Sequence, residues 1–168
     1  MQKLIGTFLF ATALSTGMAS AQTTYEAFLS GLGENPVNAS PATGFATVVL
    51  NAAQDQITVD FSWSGLLAPA TAAHIHGPGG AGTNAAVLFP FSGVPNATAG
   101  SIPEQVFSIT PTQVGWLESG YLYVNIHDSI FPGGEIRGQL LLAPEPSSAA
   151  LALTGGAITL WLRRRRIA

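Results

Sequence analysis

Between Ile57 and Ser64 the chain alternates without a fault: Ile57, Val59, Phe61 and Trp63 are apolar, while Thr58, Asp60, Ser62 and Ser64 are polar. A period of two sends successive side chains to opposite faces, so this segment predicts a half-buried antiparallel strand with the four large residues inward. Weaker alternation recurs at Thr24–Ser30, Phe45–Leu50, Ala72–His76, Ala86–Phe91, Val106–Ile109, Tyr121–His127 and Glu135–Leu142. Turn residues separate these segments, among them Asn35-Pro36, the glycines of His76–Asn84 and Pro132-Gly133-Gly134. One short helix is predicted over Pro111–Glu118, with Thr110 as N-cap and Pro111 at the first helical position. About seven to eight short strands at this spacing predict an all-β domain, an antiparallel β-sandwich or small barrel.

The two ends of the chain have a different character. Lys3 precedes a largely apolar stretch from Leu4 to Met18, and Ala19, Ser20 and Ala21 follow as the small-x-small pattern that signal peptidase accepts. Residues 1–21 therefore read as a signal peptide, cleaved after Ala21 to leave Gln22 first. At the other end Pro144, Glu145 and Pro146 lead into an uncharged run from Ser147 to Leu162, and then Arg163, Arg164, Arg165 and Arg166. As a helix the run spans roughly 24 Å, a little short of the roughly 30 Å hydrocarbon core, and snorkelling arginines make up part of the gap. Four arginines held on the cytoplasmic side place everything before them outside the membrane. The ends thus predict a single membrane helix over 147–162 and an exported domain over 22–143, large enough for one core.

This tail resembles the PEP-CTERM sorting signal of Gram-negative bacteria, which joins a Pro-Glu-Pro motif, a short membrane helix and an arginine-rich end. The resemblance covers residues 144–168 and implies recognition of Pro144, Glu145 and Pro146 by an exosortase-type transpeptidase. That enzyme is thought to cut near the motif and release or transfer the exported protein. The expected location is transient anchoring in the inner membrane, then the cell surface or the extracellular space.

Charge has to be counted for the exported region alone. Residues 22–143 hold eight acidic residues (Glu26, Glu34, Asp55, Asp60, Glu104, Glu118, Asp128 and Glu135) and one basic residue, Arg137, a net charge of −7. Such a domain is repelled by nucleic acid and by anionic membrane, and attracts divalent cations or basic partners. The chain has no cysteine, so in an oxidising compartment the fold rests on core packing, helped where possible by a ligand.

The chain has three histidines. His74 and His76 stand two apart in a predicted strand, so both imidazoles leave one face while Ile75 points to the core. His127 closes the strand in which Leu122, Val124 and Ile126 define the core face and Tyr121, Tyr123, Asn125 and His127 the other. The same logic turns Ile136 and Leu140 inward and Glu135, Arg137 and Gln139 outward. If these strands are neighbours, the outward face gathers His74, His76, His127, Asn125, Glu135 and Arg137 into one polar cluster.

The segments around these residues, "AHIHGP", "YVNIH" and "FPGGEIRGQL", resemble in order the recurring motifs of the CHRD domain, the chordin-type module that also occurs alone in exported bacterial proteins. The resemblance spans roughly Tyr25 to Leu142. It implies a β-rich extracellular domain with a structural or binding role and no established catalysis, and it supplies no ligand.

Two readings of the histidines stay open. A His-x-His pair with a third imidazole nearby is similar in spacing to the copper or zinc ligands of superoxide dismutase, another β-sandwich, although no fourth histidine is on offer here. Alternatively the rings hydrogen-bond backbone carbonyls, Glu135 or Asn125 and fix the glycine turns. Asn125, Glu135 and Arg137 read as a polar scaffold binding neighbouring loops, and Asp128 as an additional carboxylate of unknown direction. No cysteine nucleophile, GxSxG elbow or phosphate-cradling glycine loop is present, so no catalytic residue is assigned. Trp116, Tyr121 and Tyr123 are candidates for a carbohydrate platform, whereas Trp63 belongs to the core by its period. The expected function is that of an exported, non-enzymatic CHRD module in the envelope or matrix, possessing no cofactor and meeting extracellular polysaccharide or matrix. The alternative is a copper or zinc protein, or a dismutase-like redox enzyme, using His74, His76 and His127.

Overall fold

A computed structural model describes residues 21–144. Of the export and sorting residues only Ala21, Gln22 and Pro144 fall within that range. Ala19, Glu145, Pro146, the 147–162 run and Arg163 to Arg166 lie outside the described residues. No helix among the described residues is long and apolar enough to cross a membrane.

Eight antiparallel strands curl into a nearly closed barrel. They are β1 (Thr23–Ser30), β2 (Thr43–Leu50), β3 (Gln56–Ser64), β4 (Ala70–His76), β5 (Val87–Pro90), β6 (Gly100–Ser108), β7 (Tyr123–Asp128) and β8 (Ile136–Gln139). Their spatial order is β5-β4-β7-β8-β1-β2-β3-β6, and a two-residue β9 (Leu141–Leu142) pairs with β1. The two ends of this path meet through side chains. Gln105 Oε1 accepts from the Ser92 N–H at 3.0 Å, and Gln105 Nε2 donates to the Ser92 carbonyl at 2.8 Å, so one amide mimics a missing rung of the ladder. The Phe107 ring packs beside this bridge on Phe89 and Phe91, with centroids 5.3 and 6.1 Å apart.

The alternation of β3 works as the sequence predicts: Ile57, Val59, Phe61 and Trp63 are buried, and Asp60, Ser62 and Ser64 face solvent. β1 and β2 pair in unbroken register from Thr23↔Leu50 to Ser30↔Thr43, placing Ala27, Leu29, Val48 and Leu50 in the same core. The helix α1 (Pro111–Glu118) stands where its cap residues put it. Thr110 Oγ1 accepts from Gln113 N, and the Gln113 side chain returns to the Thr110 N–H.

Several strand bounds shift by a residue or two, and three departures have a visible physical cause. β6 begins at Gly100 instead of Val106 and runs through Pro103. The strand ends the hydrogen-bonded path, and its register slips between Val59 and Phe61, so the proline's missing N–H breaks no regular rung. The predicted strand from Tyr121 starts at Tyr123, because Gly120 turns with φ 70° and Tyr121 N binds Trp116 O at the end of α1. The predicted strand Glu135–Leu142 is split at Leu140, which is buried and donates to Leu122 O at 2.9 Å.

The larger departure concerns the outward face of β4, β7 and β8. It is not open to solvent. Tyr123, Asn125, Glu135 and Arg137 are 0–3 % exposed, beneath loops 31–42, 77–86 and 129–134. The barrel thus carries its apolar core inside and a second, polar layer between this wall and the loops.

Candidate metal centre

β4 and β7 pair so that Ala72, His74 and His76 stand opposite His127, Asn125 and Tyr123. His74 and His127 are therefore diagonal neighbours on the outward face, and His76 follows His74 along the strand. His74 Nδ1 lies 3.0 Å from His127 Nε2, and one ligand nitrogen from each of the three rings falls within 4.8 Å of the other two. The His74 ring centroid is 4.9 Å from that of His127 and 5.4 Å from that of His76.

The partners of the rings dictate their protons. His76 Nδ1 faces the Ala85 carbonyl at 2.9 Å and His127 Nδ1 the Pro132 carbonyl at 3.0 Å. A carbonyl only accepts, so both Nδ1 atoms carry the proton and both Nε2 atoms present a lone pair. His74 Nδ1 then donates to His127 Nε2. His76 Nε2 is fully buried and has no partner. An orphaned acceptor facing other imidazoles is costly in a core and useful in a ligand site.

Burial favours the neutral form of all three rings. It lowers the His74 pKa to about 4, with the His127 and His76 charges adding to the effect. His76 and His127 are also pushed down chiefly by burial, against the opposing pull of their carbonyl bonds.

Behind His76 stands a three-layer stack. The Tyr123 ring lies parallel to the His76 ring at 5.0 Å between centroids, and the Arg137 guanidinium covers the other face of Tyr123 at 3.4 Å. The Ala85 peptide closes the layer from the side: its carbonyl accepts from His76 Nδ1–H and its N–H donates to Tyr123 Oη at 3.0 Å. Arg137 Nη2 donates to the Gly80 and Thr83 carbonyls at 2.9 and 3.0 Å, so the glycine loop after His76 is fastened over the site.

A family model described as the CHRD domain matches residues 25–140, from the first core residue of β1 to the end of β8. The protein belongs to the CHRD domain family. No curated protein and no solved structure gives a significant match.

Within this CHRD domain the expected single polar cluster divides in two. His74, His76, His127, Asn125 and Arg137 share the end described above. Glu135 points elsewhere: its carboxylate accepts from Ser40 Oγ and from Leu67 N at 3.0 Å, beside Asp128. Asp128 accepts from the N–H groups of Ala68, Ile130 and Phe131, while its charge still acts on the adjacent His127. Neither carboxylate lies among the three imidazoles grouped within ligand reach. Burial and the nearby Asp128 raise the Glu135 pKa, as fits two carboxyls pinning three loops. Glu135 and Arg137 bind different loops, as a scaffold would, and not each other.

Of the candidate aromatic residues, Trp116 is half-buried beside Tyr121, whose N–H donates to the Trp116 carbonyl. Trp63 lies in the core, Tyr123 is sealed between His76 and Arg137, and only Tyr121 of the two tyrosines is exposed. Sequence reasoning missed Glu34, which is 5 % exposed with a buried Oε1 lacking any partner. It sits in a loop with no periodicity to reveal burial. Asn125 lies alongside His76, and its Oδ1 is also unpartnered. Among the described residues, all the buried side-chain atoms left without a partner gather in this region.

Proposed function

We propose that this CHRD domain is an exported, non-enzymatic binding module that holds one transition-metal ion, copper(II) or zinc, at His74, His76 and His127. One observation carries the reading: His76 Nε2 is buried and unpartnered, in a ring that brings one ligand nitrogen within 4.8 Å of those of two further imidazoles. Three neutral nitrogens suit either ion, and the backbone carbonyls on the far side of two rings are the outer partners that metal-bound histidines use. Residues 22–143 hold neither cysteine nor methionine, which leaves nitrogen and oxygen donors. An ion bound here takes the place of the proton between His74 and His127, and His74 then carries its proton on Nε2.

Export and sorting complete the proposal. The apolar leader ending at Ala21 and the Pro144–Arg166 tail support passage through the inner membrane, cleavage by signal peptidase and handling by an exosortase-type transpeptidase. In the envelope or matrix an acidic domain with no lysine meets basic or metal-bearing partners, or matrix polysaccharide, and not nucleic acid.

The test is titration of the purified protein with copper(II) and zinc, followed by calorimetry and, for copper, by the nitrogen splitting of its electron paramagnetic spectrum. We expect one-to-one binding, lost in each of His74→Ala, His76→Ala and His127→Ala. A second reading, in which the rings only fasten loops, is favoured by the Ala85 and Pro132 bonds. It wins if no ion binds and the three variants merely melt earlier. Copper-loaded protein that speeds superoxide decay would move the assignment to the dismutase-like alternative.

A further inference from the structure

Glu34 stands at the edge of a cleft of ≈ 440 Å³ formed between the 34–38 and 130–134 loops. Pro36, Val37, Ile130, Phe131 and Pro132 form its apolar walls, and Asn35, Asn38 and Asn84 also line it. Val37 and Ile130 are 64 % and 56 % exposed, so the mouth is open, while Glu34 itself is buried. The carboxylate packs on Gly134, where an added Cβ would collide with Glu34 Oε1, and that oxygen has no hydrogen-bond partner.

Arg137 and the Asn35 backbone relieve this carboxyl only in part, and Oε1 stays without a partner. Residues 22–143 contain no lysine, and their one arginine spends its guanidinium on the Gly80 and Thr83 carbonyls and the Tyr123 face. The amide of Asn84 is likewise taken, by the Asn35 carbonyl at 2.8 Å. A buried carboxylate oxygen left without a partner is a costly arrangement that an external donor relieves. The apolar part of the wall favours a donor carried on a hydrocarbon stem.

We propose that this cleft binds a primary ammonium group on a short aliphatic chain, with the ammonium on the Glu34 carboxylate and the stem along Val37, Ile130 and Phe131. A free alkylamine and the side chain of a lysine in a protein partner share that chemistry. The cleft adjoins the histidine centre through Pro132 and Asn125, and the proposal does not need a metal bound there.

The experiment is an NMR titration of the purified protein, with a chelator present so that amine cannot report through a bound ion. The probes are pentylamine, a blocked lysyl peptide, and pentanol as the uncharged isostere. Saturable shifts of the 34–38 and 130–134 amides are expected with an amine at a dissociation constant on the order of 1 mM, and none with pentanol. Tighter binding of the lysyl peptide identifies a protein partner, and tighter binding of pentylamine a free amine. Glu34→Gln should weaken binding at least about tenfold. Val37→Arg, at an exposed rim position, should also abolish it by laying a competing cation over the cleft. Equal binding of pentanol and pentylamine, amine binding unchanged in both variants, or no saturable shift at all would overturn the proposal.

Discussion

The wall built from β1, β2 and β3 and the wall built from β4, β7 and β8 obey the same alternation and differ in what lies outside them. In the first, the outward residues of β3, Asp60, Ser62 and Ser64, face water, and the polar side chains need no other partner. In the second, the outward residues Asn125 and Arg137 are 2 % exposed, and their hydrogen-bonding needs are met by loops or left open. A period of two specifies which face a residue occupies. What covers that face is decided by long-range packing. The first wall is a container. The second is layered, and its outer layer holds the three histidines and Glu34.

The sharpest way to break this comparison is to remove the residue that joins wall and loop. Arg137→Ala unpairs the Gly80 and Thr83 carbonyls and uncovers Tyr123, and we expect a loss of about 3–5 kcal/mol in urea unfolding. The same truncation on the container wall, Asp60→Ala, should stay within about 0.5 kcal/mol. If the two variants unfold alike, the loops do not form a cooperative layer and the distinction fails.

A smaller effect tests the packing of that layer one residue at a time. Gly134 has φ 131° and lies against Glu34 and the Asn125 amide, so Gly134→Ala is strained in backbone and side chain together and should cost about 2 kcal/mol. Gly133, its neighbour, has open space where a Cβ would stand, and Gly133→Ala should be nearly silent. Thermal unfolding of the pair reads the contrast directly, and equal melting temperatures would show that the loop accommodates a methyl group at either position.

These differences explain what the sequence could and could not reveal. The strands, the capped helix, the inward residues of β3 and the shared face of His74 and His76 follow from local periodicity and cap chemistry, which are written in neighbouring residues. The CHRD motifs added the order of the histidine-bearing segments. That His76 stacks on Tyr123 beneath Arg137, and that Glu135 joins Asp128 and not the histidines, depends on loops folding back across 50 or more positions of chain. Glu34 was illegible for the same reason: its burial is created by Gly134, a hundred residues later.

The mildest prediction isolates Glu34 by its charge. Desolvation raises its pKa from the ordinary carboxylate value to about 7, against the partial relief given by Arg137 and the Asn35 backbone. A carboxyl held higher in the folded state than in the unfolded chain favours folding while it is protonated. That contribution is complete below the ordinary value of 4.5 and disappears as pH rises through about 7. Arg137 is the charged group that faces it, and Asn125 and Gly134 on the remaining side are neutral. Glutamine imitates the protonated form at every pH. Glu34→Gln should therefore match the wild type near pH 4.5 and become the more stable of the two by about 1–2 kcal/mol at pH 8, a gap of a few degrees in melting temperature. Because the histidines and Glu135 titrate equally in both proteins, the difference between the two curves belongs to Glu34. An amine seated on the carboxylate would close the gap at pH 8 by stabilising the wild type alone, so repeating the melt with pentylamine turns this small effect into a second reading of the cleft. A gap that is constant with pH would mean that water already reaches the carboxylate, and that the two walls differ less than their exposures imply.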